Sequence, residues 1–231
     1  MSASGASLSG RLFFQPVHDR NIHSVRLLVS TVLPVAYSDA FFKRLAAGGT
    51  PAELASLAYF DDIFVGCVAA RVEPERRAVY LMVLGVLAPY RHRGIGAPPP
   101  PLLPPPLPAC TLAPLPSSHP PLRHVFRAAP RRLPPRAGAA LLQRVLAAAE
   151  SGEHGDIAEV WLHVHTGNAA AQAFYEAQGF TRSPGEWKGY YRGVEPPDAF
   201  VYRRAVGAAR LEDLPAPTQA PSGATAVDAA R

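Results

Sequence analysis

The most constraining stretch of the chain is 80–96, YLMVLGVLAPYRHRGIG, in which an apolar strand pattern runs directly into a basic turn with two closely spaced glycines. A strand, such a turn and then a helix bring backbone N–H groups and the positive end of a helix dipole to one spot, a device for holding phosphates. The helix is therefore expected at once. Instead, Ala97 is followed by PPPPLLPPPLP, and a helical apolar pattern resumes only at AALL, 139–142. A Pro inside a helix lacks its N–H and costs about 3 kcal/mol, so only Pro98 suits a helix start and the run reads as polyproline II or disordered. Excising 97–138, or equally 98–139, joins RHRGIG to AALLQRVLAAAE without a seam. The segment 98–136 reads as an insertion in a phosphate-binding loop.

Composition supports that division. More than half of the 26 prolines lie between 98 and 135, and from Gly207 onward the chain is rich in Ala, Pro, Ser and Thr without apolar periodicity. Setting aside these two stretches and residues 1–10 as disordered leaves 11–97 and 137–206, roughly 150 to 160 residues, enough for one domain with a real core. The net charge of +5 comes from the insertion, which carries Arg123, Arg127, Arg131, Arg132 and Arg136 and no acidic residue. The domain itself is neutral, which argues against nucleic-acid binding. Cys67 and Cys110 form neither a disulfide framework nor a metal-ligand spacing. With no signal-peptide pattern and no run of about 18 apolar residues, a cytoplasmic protein is expected.

Periodicity predicts a strand over 11–17 and a helix capped by Asp19 with Ile22, Val25, Leu28 and Val29 on one face. A second short helix follows Ser38 or Asp39 and closes at Gly48 and Gly49. Three antiparallel strands then turn at Asp61–Asp62 and at 74–77. After the insertion come a helix over 139–150, a strand AEVWLHVH, a helix capped by Asn168 and ended by Gly179, and a strand over 198–206. The order β-α-α-β-β-β-α-β-α-β predicts an α/β (α+β) fold, a sheet with helices packed on it.

LGVLAPYRHRGIG with AALL after it matches the R/Q-x-x-G-x-G/A acyl-CoA motif of the GNAT acetyltransferases, and NAAAQAFYEAQGF matches their N-x-x-A-x-x-F/Y-Y-x-x-x-G-F signature. With LPVAYSDAFFKRL, LAYFDDIFVGCVAARVE, WLHVHTGN and YYRGVEPPDAF, the chain resembles N-terminal acetyltransferases of the NatE (San) type over almost all of 11–204 outside the insertion. The resemblance implies the GNAT fold, a mixed, mostly antiparallel sheet of six to seven strands with helices on both faces. It implies acetyl-CoA as cofactor and protein N-termini, those beginning with Met above all, as substrate, with NatA complex subunits and the ribosome as partners.

Acetyl transfer to an amine needs a held thioester, a donor to the developing oxyanion and a path for the ammonium proton. Arg91, His92, Arg93, Gly94, Ile95 and Gly96 form the candidate pyrophosphate loop, and Leu84, Val86 and Leu87 would offer backbone to the pantetheine arm. The family pairs a strand tyrosine with a strand histidine as a water-relayed base, which implies Tyr80 and His163 here. His165, one strand period on, leaves room for His163 to be an ordinary strand histidine. Tyr175 matches a position that in many GNAT enzymes approaches the CoA sulfur, which implies a catalytic phenol donating to the departing thiolate, though an aromatic there also packs a helix on a sheet. Asn168 is a helix cap and a cofactor contact. Leu33, Pro34, Val35, Tyr37, Met82, Tyr190, Tyr191 and Val194 match the loops that clamp a peptide N-terminus, with Leu33 standing where Phe is usual. No metal site is expected. Two further readings stay open: an acetyltransferase of small amines, and a subunit of a ribosome-associated complex impaired by the insertion.

Overall fold

The computed structural model describes residues 12–91, apart from 34, 36 and 49, and residues 137–217. Eleven elements follow one another in these residues: β1 (Leu12–Pro16), α1 (Ile22–Val32), α2 (Asp39–Ala46), β2 (Ala55–Phe60), β3 (Ile63–Glu73), β4 (Ala78–Val86), α3 (Ala137–Glu150), β5 (Glu159–His165), α4 (Ala169–Ala177), β6 (Thr181–Arg182) and β7 (Ala199–Ala205). They build a seven-stranded sheet of order β1-β2-β3-β4-β5-β7-β6. Every neighbouring pair is antiparallel except β4 and β5. The expected phosphate loop at 92–96, the insertion 98–136, residues 1–10 and the last part of the tail lie outside the described residues.

Local chemistry explains most element boundaries. Asp61 and Asp62 both take positive φ, 47° and 66°, which the right-handed twist of a two-residue hairpin between β2 and β3 requires and which Asp tolerates. The Ser38 hydroxyl accepts the N–H of Phe41 to start α2, and the Asn168 side chain accepts the N–H of Ala171 to start α4. Gly179, at φ 81°, ends the turn after α4. The expected cap of α1 at Asp19 is corrected: the helix begins at Ile22, and Asn21 occupies the cap position. The Asn21 side chain turns back instead of capping, accepting from the N–H of His18 and donating to the Pro16 carbonyl, and so ties the helix to the end of β1.

Two apolar layers sandwich the sheet. On one face α3 and α4 bury Leu141, Leu142, Val145, Leu146 and Tyr175 against Val79, Leu81, Val160, Leu162 and Tyr202. On the other, α1 and α2 bury Val25, Leu28, Val29, Phe41 and Phe42 against Leu57, Cys67, Ala69 and Val83. Close approach needs glycine at two places here. A Cβ on Gly66 would stand 2.7 Å from the Gly85 carbonyl oxygen, and one on Gly85 would stand 2.6 Å from a methyl of Leu28. Burial drives the Cys67 thiol up to about 12, which leaves it inert at neutral pH. No helix of the described residues is long and apolar enough to cross a membrane.

A charged triad lies within this apolar frame. Glu159, almost wholly buried at the start of β5, receives Arg203 at 2.6 Å and Arg76 at 2.9 Å. Residues 207–217, assigned to the tail on composition, include a short turn at Leu211–Asp213, and Arg203 donates to the Pro215 carbonyl at 3.2 Å. Removing one member of a buried ionic cluster leaves its partners uncompensated. Glu159→Ala is therefore expected to lower stability by about 3–5 kcal/mol, read from urea unfolding followed by circular dichroism.

Candidate active site

The ladder between β4 and β5 is short. Ala78, Val79 and Tyr80 pair with Glu159, Val160 and Trp161, and there the parallel pairing ends. Further along, β4 continues beside β3, and β5 continues beside β7. The two strands part toward their C-terminal ends, so the β5-facing backbone of the second half of β4 has no strand partner among the described residues. A bulge accompanies the divergence: Ala69 pairs with Val83 but Ala70 with Leu81, which makes Met82 the extra residue. Bulges re-aim side chains and interrupt pairing beside sites. An extended ligand carrying amides can add to such a free edge as a strand would. The gap opens where β4 runs out toward Arg91 and α3 begins.

At its closed end stand two of the residues singled out by sequence. Tyr80 is the last paired residue of that stretch of β4, and His163 lies two residues beyond Trp161 on the same face of β5. The Tyr80 hydroxyl is 3.0 Å from His163 Nδ1 and 3.0 Å from the Tyr190 hydroxyl. Tyr190 stacks on the imidazole with centroids 4.0 Å apart, and Trp187 and Trp161 meet it edgewise at 4.4 and 5.2 Å. The Arg71 guanidinium lies over the Tyr80 ring and that of Arg76 over Trp161.

These surroundings settle the protonation states. Burial first, then the positive charges of Arg71 and Arg76, lower His163 from 6.5 to about 3. Burial, reinforced by Tyr190, raises Tyr80 well above the usual phenol value, and burial pushes Tyr190 up to about 12. The three rings are neutral at pH 7. Although His163 as a residue keeps some exposure, its Nε2 is shut off from solvent and has no hydrogen-bond partner among the described residues.

The remaining predicted residues divide into several groups. Leu33, Tyr37, Met82 and Leu87 pack on the edge of the α1/α2 core, near the parting strands. The Tyr37 hydroxyl donates to the carbonyl of Met82 at 2.9 Å, so its proton is already committed to the bulge. Tyr191 stands edge-on to Tyr190 and donates its N–H to the Pro197 carbonyl. Val35 and Val194 are half-buried in their loops, and Pro34 lies outside the described residues. Leu84 and Val86 face the α3 side of the sheet, and Arg91 turns back so that its Nε donates to the Val86 carbonyl at 2.7 Å. Tyr175 is held on the α3/α4 side against Phe174, Phe180 and Tyr202, and burial raises its phenol. Asn168 caps α4.

Sequence reasoning passed over Trp187, Arg71 and Arg76. The alternation of Trp161 with His163 hinted at an aromatic face, but nothing local signals that the chain after β6 folds Trp187 back onto β5. A cavity of about 480 Å³ lined by Arg77, Glu150, Asp156, Val206, Arg210 and Leu214 lies at the other end of β5 and touches none of these residues.

Residues 136–180 match the acetyltransferase (GNAT) family model. The chain is 30% identical over 201 residues to N-alpha-acetyltransferase 50 of Danio rerio, covering 86% of this chain and 91% of that protein. It is 28% identical over 192 residues to the probable N-acetyltransferase san of Drosophila melanogaster, covering 82% and 78% respectively. Among solved structures, Arabidopsis thaliana Naa50 in complex with the bisubstrate analogue CoA-Ac-MVNAL superposes with a TM-score of 0.57 at 28% identity, covering 84% of this chain and 97% of that one.

The depressed value of His163 has a signed consequence. Between its unfolded value near 6.5 and about 3 the unfolded chain binds the proton and the folded chain does not. The neutral ring thus contributes stability above pH 6.5, and that contribution is lost as the pH falls toward 3. In a proton NMR titration of the folded protein, the His163 ring resonances are expected to stay unshifted from pH 8 to pH 4.5.

Proposed function

Because the chain belongs to the GNAT acetyltransferase family, we propose that it transfers the acetyl group of acetyl-CoA to the N-terminal α-amine of proteins, those beginning with Met above all. The observation that supports this best is the Tyr80–His163 contact at the closed end of the β4–β5 gap. Acetyl-CoA, when bound, supplies an acyl carbon activated as a thioester. The residues present fit it in part: the gap-facing edge of β4 at Leu84, without a strand partner there, is complementary to an amide-bearing arm, whereas the Val86 carbonyl already accepts from Arg91 and the Leu87 N–H is bonded to the Val65 carbonyl. Arg91, with the 92–96 loop, would take the pyrophosphate, and Asn168 and Tyr175 lie on the helix beyond the opposite strand.

The acceptor amine sets the demand on the base. A free α-amino group has a pKa of about 7.7 to 8.0, so a useful fraction is unprotonated at neutral pH. With its own pKa near 3, His163 would hold an ammonium proton at a cost on the order of 6 kcal/mol. It therefore serves as a neutral partner that fixes the Tyr80 hydroxyl through Nδ1, and Tyr80 with Tyr190 forms a chain of hydroxyls that orients the amine or a water that carries its proton away. On the α1/α2 side, Leu33, Pro34, Val35 and Met82 would receive a Met side chain, and Tyr37, Tyr190, Tyr191 and Val194 would flank the peptide. The peptide part of the analogue bound by the Arabidopsis relative also begins with Met. NatA complex subunits at the ribosome, in the cytoplasm, are the proposed setting.

A second reading draws on one observation: the family match begins at residue 136, after the proline-rich run. If the insertion between Gly96 and α3 keeps the two halves of the phosphate site apart, the chain would act as a non-catalytic subunit. Closing a loop of roughly 42 residues costs on the order of 3 kcal/mol, which the fold can absorb.

Three outcomes test these readings. The pH profile of kcat/KM is expected to rise and level off at about 7.7–8.0, the amine's own value, without a step near 6.5; such a step would assign proton storage to His163. Tyr80→Phe should lower kcat about ten- to a hundredfold and leave the peptide KM within about threefold of wild type. Acetylation of a Met-Leu peptide should be faster with the chain lacking 98–139 than with the full chain. Full-length protein that shows no acetyl-CoA binding by calorimetry yet still associates with NatA subunits would establish the second reading instead.

A further inference from the structure

The chain between β6 and β7, residues 183–198, carries Trp187, Tyr190 and Tyr191, and most of its described bonds are made to itself or to β7. Trp187 exchanges both backbone bonds with Ala199, Asp198 receives Lys188 and the N–H of Gly189, and Tyr191 bonds to Pro197. Such a hairpin holds its own shape, but its position over β5 needs a separate tie. Thr166 supplies one through its N–H to the Asp198 carbonyl. The Tyr190 hydroxyl, 3.0 Å from that of Tyr80, supplies a second, and a further tie is a side chain of β5 itself.

His165, the last residue of β5, stands edge-on to Tyr191 with centroids 5.4 Å apart. The N–H of Gly167 points at its Nδ1 from 3.2 Å, and the carbonyl of Pro196 lies 2.6 Å from its Nε2. An amide N–H can only donate and a carbonyl can only accept. Both ends are satisfied by one form of the ring alone, with Nδ1 bare and Nε2 protonated. The residue that on sequence competes with His163 is thus a fixed donor aimed at the loop.

We propose that His165 is a positioning residue for the acceptor: through Nε2–H it latches the loop at Pro196, holds Tyr190 and Tyr191 against the cleft, and so sets how tightly the peptide is gripped. The role in peptide binding rests on the function proposed above, whereas the latch itself does not.

The test uses the full chain with His165→Ala, His165→Gln and His165→Asn. Readouts are backbone hydrogen exchange over 188–197, kcat and KM for a Met-Leu peptide, and thermal melting. His165→Ala should speed exchange in the loop and raise KM about five- to tenfold, with kcat within about twofold. Gln can reach the Pro196 carbonyl and should restore both readouts; Asn, which can serve only the Gly167 end, should behave like Ala. Unchanged loop exchange in His165→Ala, equal behaviour of Gln and Asn, or a lowered melting point with neither exchange nor KM altered would each overturn the proposal. If wild-type protein transfers no acetyl group, the enzymatic reading fails, and the exchange data decide the latch on their own.

Discussion

The site depends on the parallel ladder between β4 and β5 ending three residues after it starts. Backbone N–H and C=O groups withdrawn from water without partners are costly, so a sheet does not open in its middle without a reason. Here each strand keeps its outer neighbour, β3 for β4 and β7 for β5, which allows the inner edges to part while the sheet stays whole. The bulge at Met82 lets β4 bend away, and the Tyr37 hydroxyl satisfies the carbonyl it turns out. The result is an internal strand edge, protected by helices on one side and by an aromatic loop on the other, which is far safer than an edge at the rim of a sheet.

Around the closed end of that opening, charge is kept at one remove from the Tyr80 and His163 rings. Arg71 and Arg76 press on the Tyr80 and Trp161 rings, but each guanidinium is held by a carboxylate, Glu73 for the first and Glu159 for the second. Glu73 also accepts the Trp161 indole N–H at 3.0 Å, so the ionic and aromatic layers are one network. Buried neutral rings beside paired cations make a site that disfavours an imidazolium and suits a neutral nucleophile. The ion cluster that supports the fold at Glu159 is therefore also part of the electrostatics of His163.

The strands and helices were readable because their signals are local: the apolar runs of β2 to β5, the Asp61–Asp62 turn, the Ser38 and Asn168 caps. What escaped depends on tertiary contact. Asn21 rather than Asp19 heads α1 because its side chain is used backward, on β1. The two-residue β6 is too short to carry a period. The family motifs pointed to Tyr80 and His163, but they said nothing of Tyr190 bonding Tyr80, of Trp187 against the imidazole, or of a carboxylate buried between two arginines. Each of these joins residues tens of positions apart, and periodicity within one element cannot reveal such pairings.

The two glycines at the meeting of β3, β4 and α1 carry a consequence for variation among chains of this shape. Main chain stands against main chain at Gly66, and Gly85 lies directly beneath a methyl of Leu28, so α1 sits as low as it does on the sheet because position 85 carries no side chain. Any side chain added at position 85 would have to lift α1 or displace Leu28. The segment that follows α1, where Leu33 packs on the edge of the same core, inherits its position from that contact.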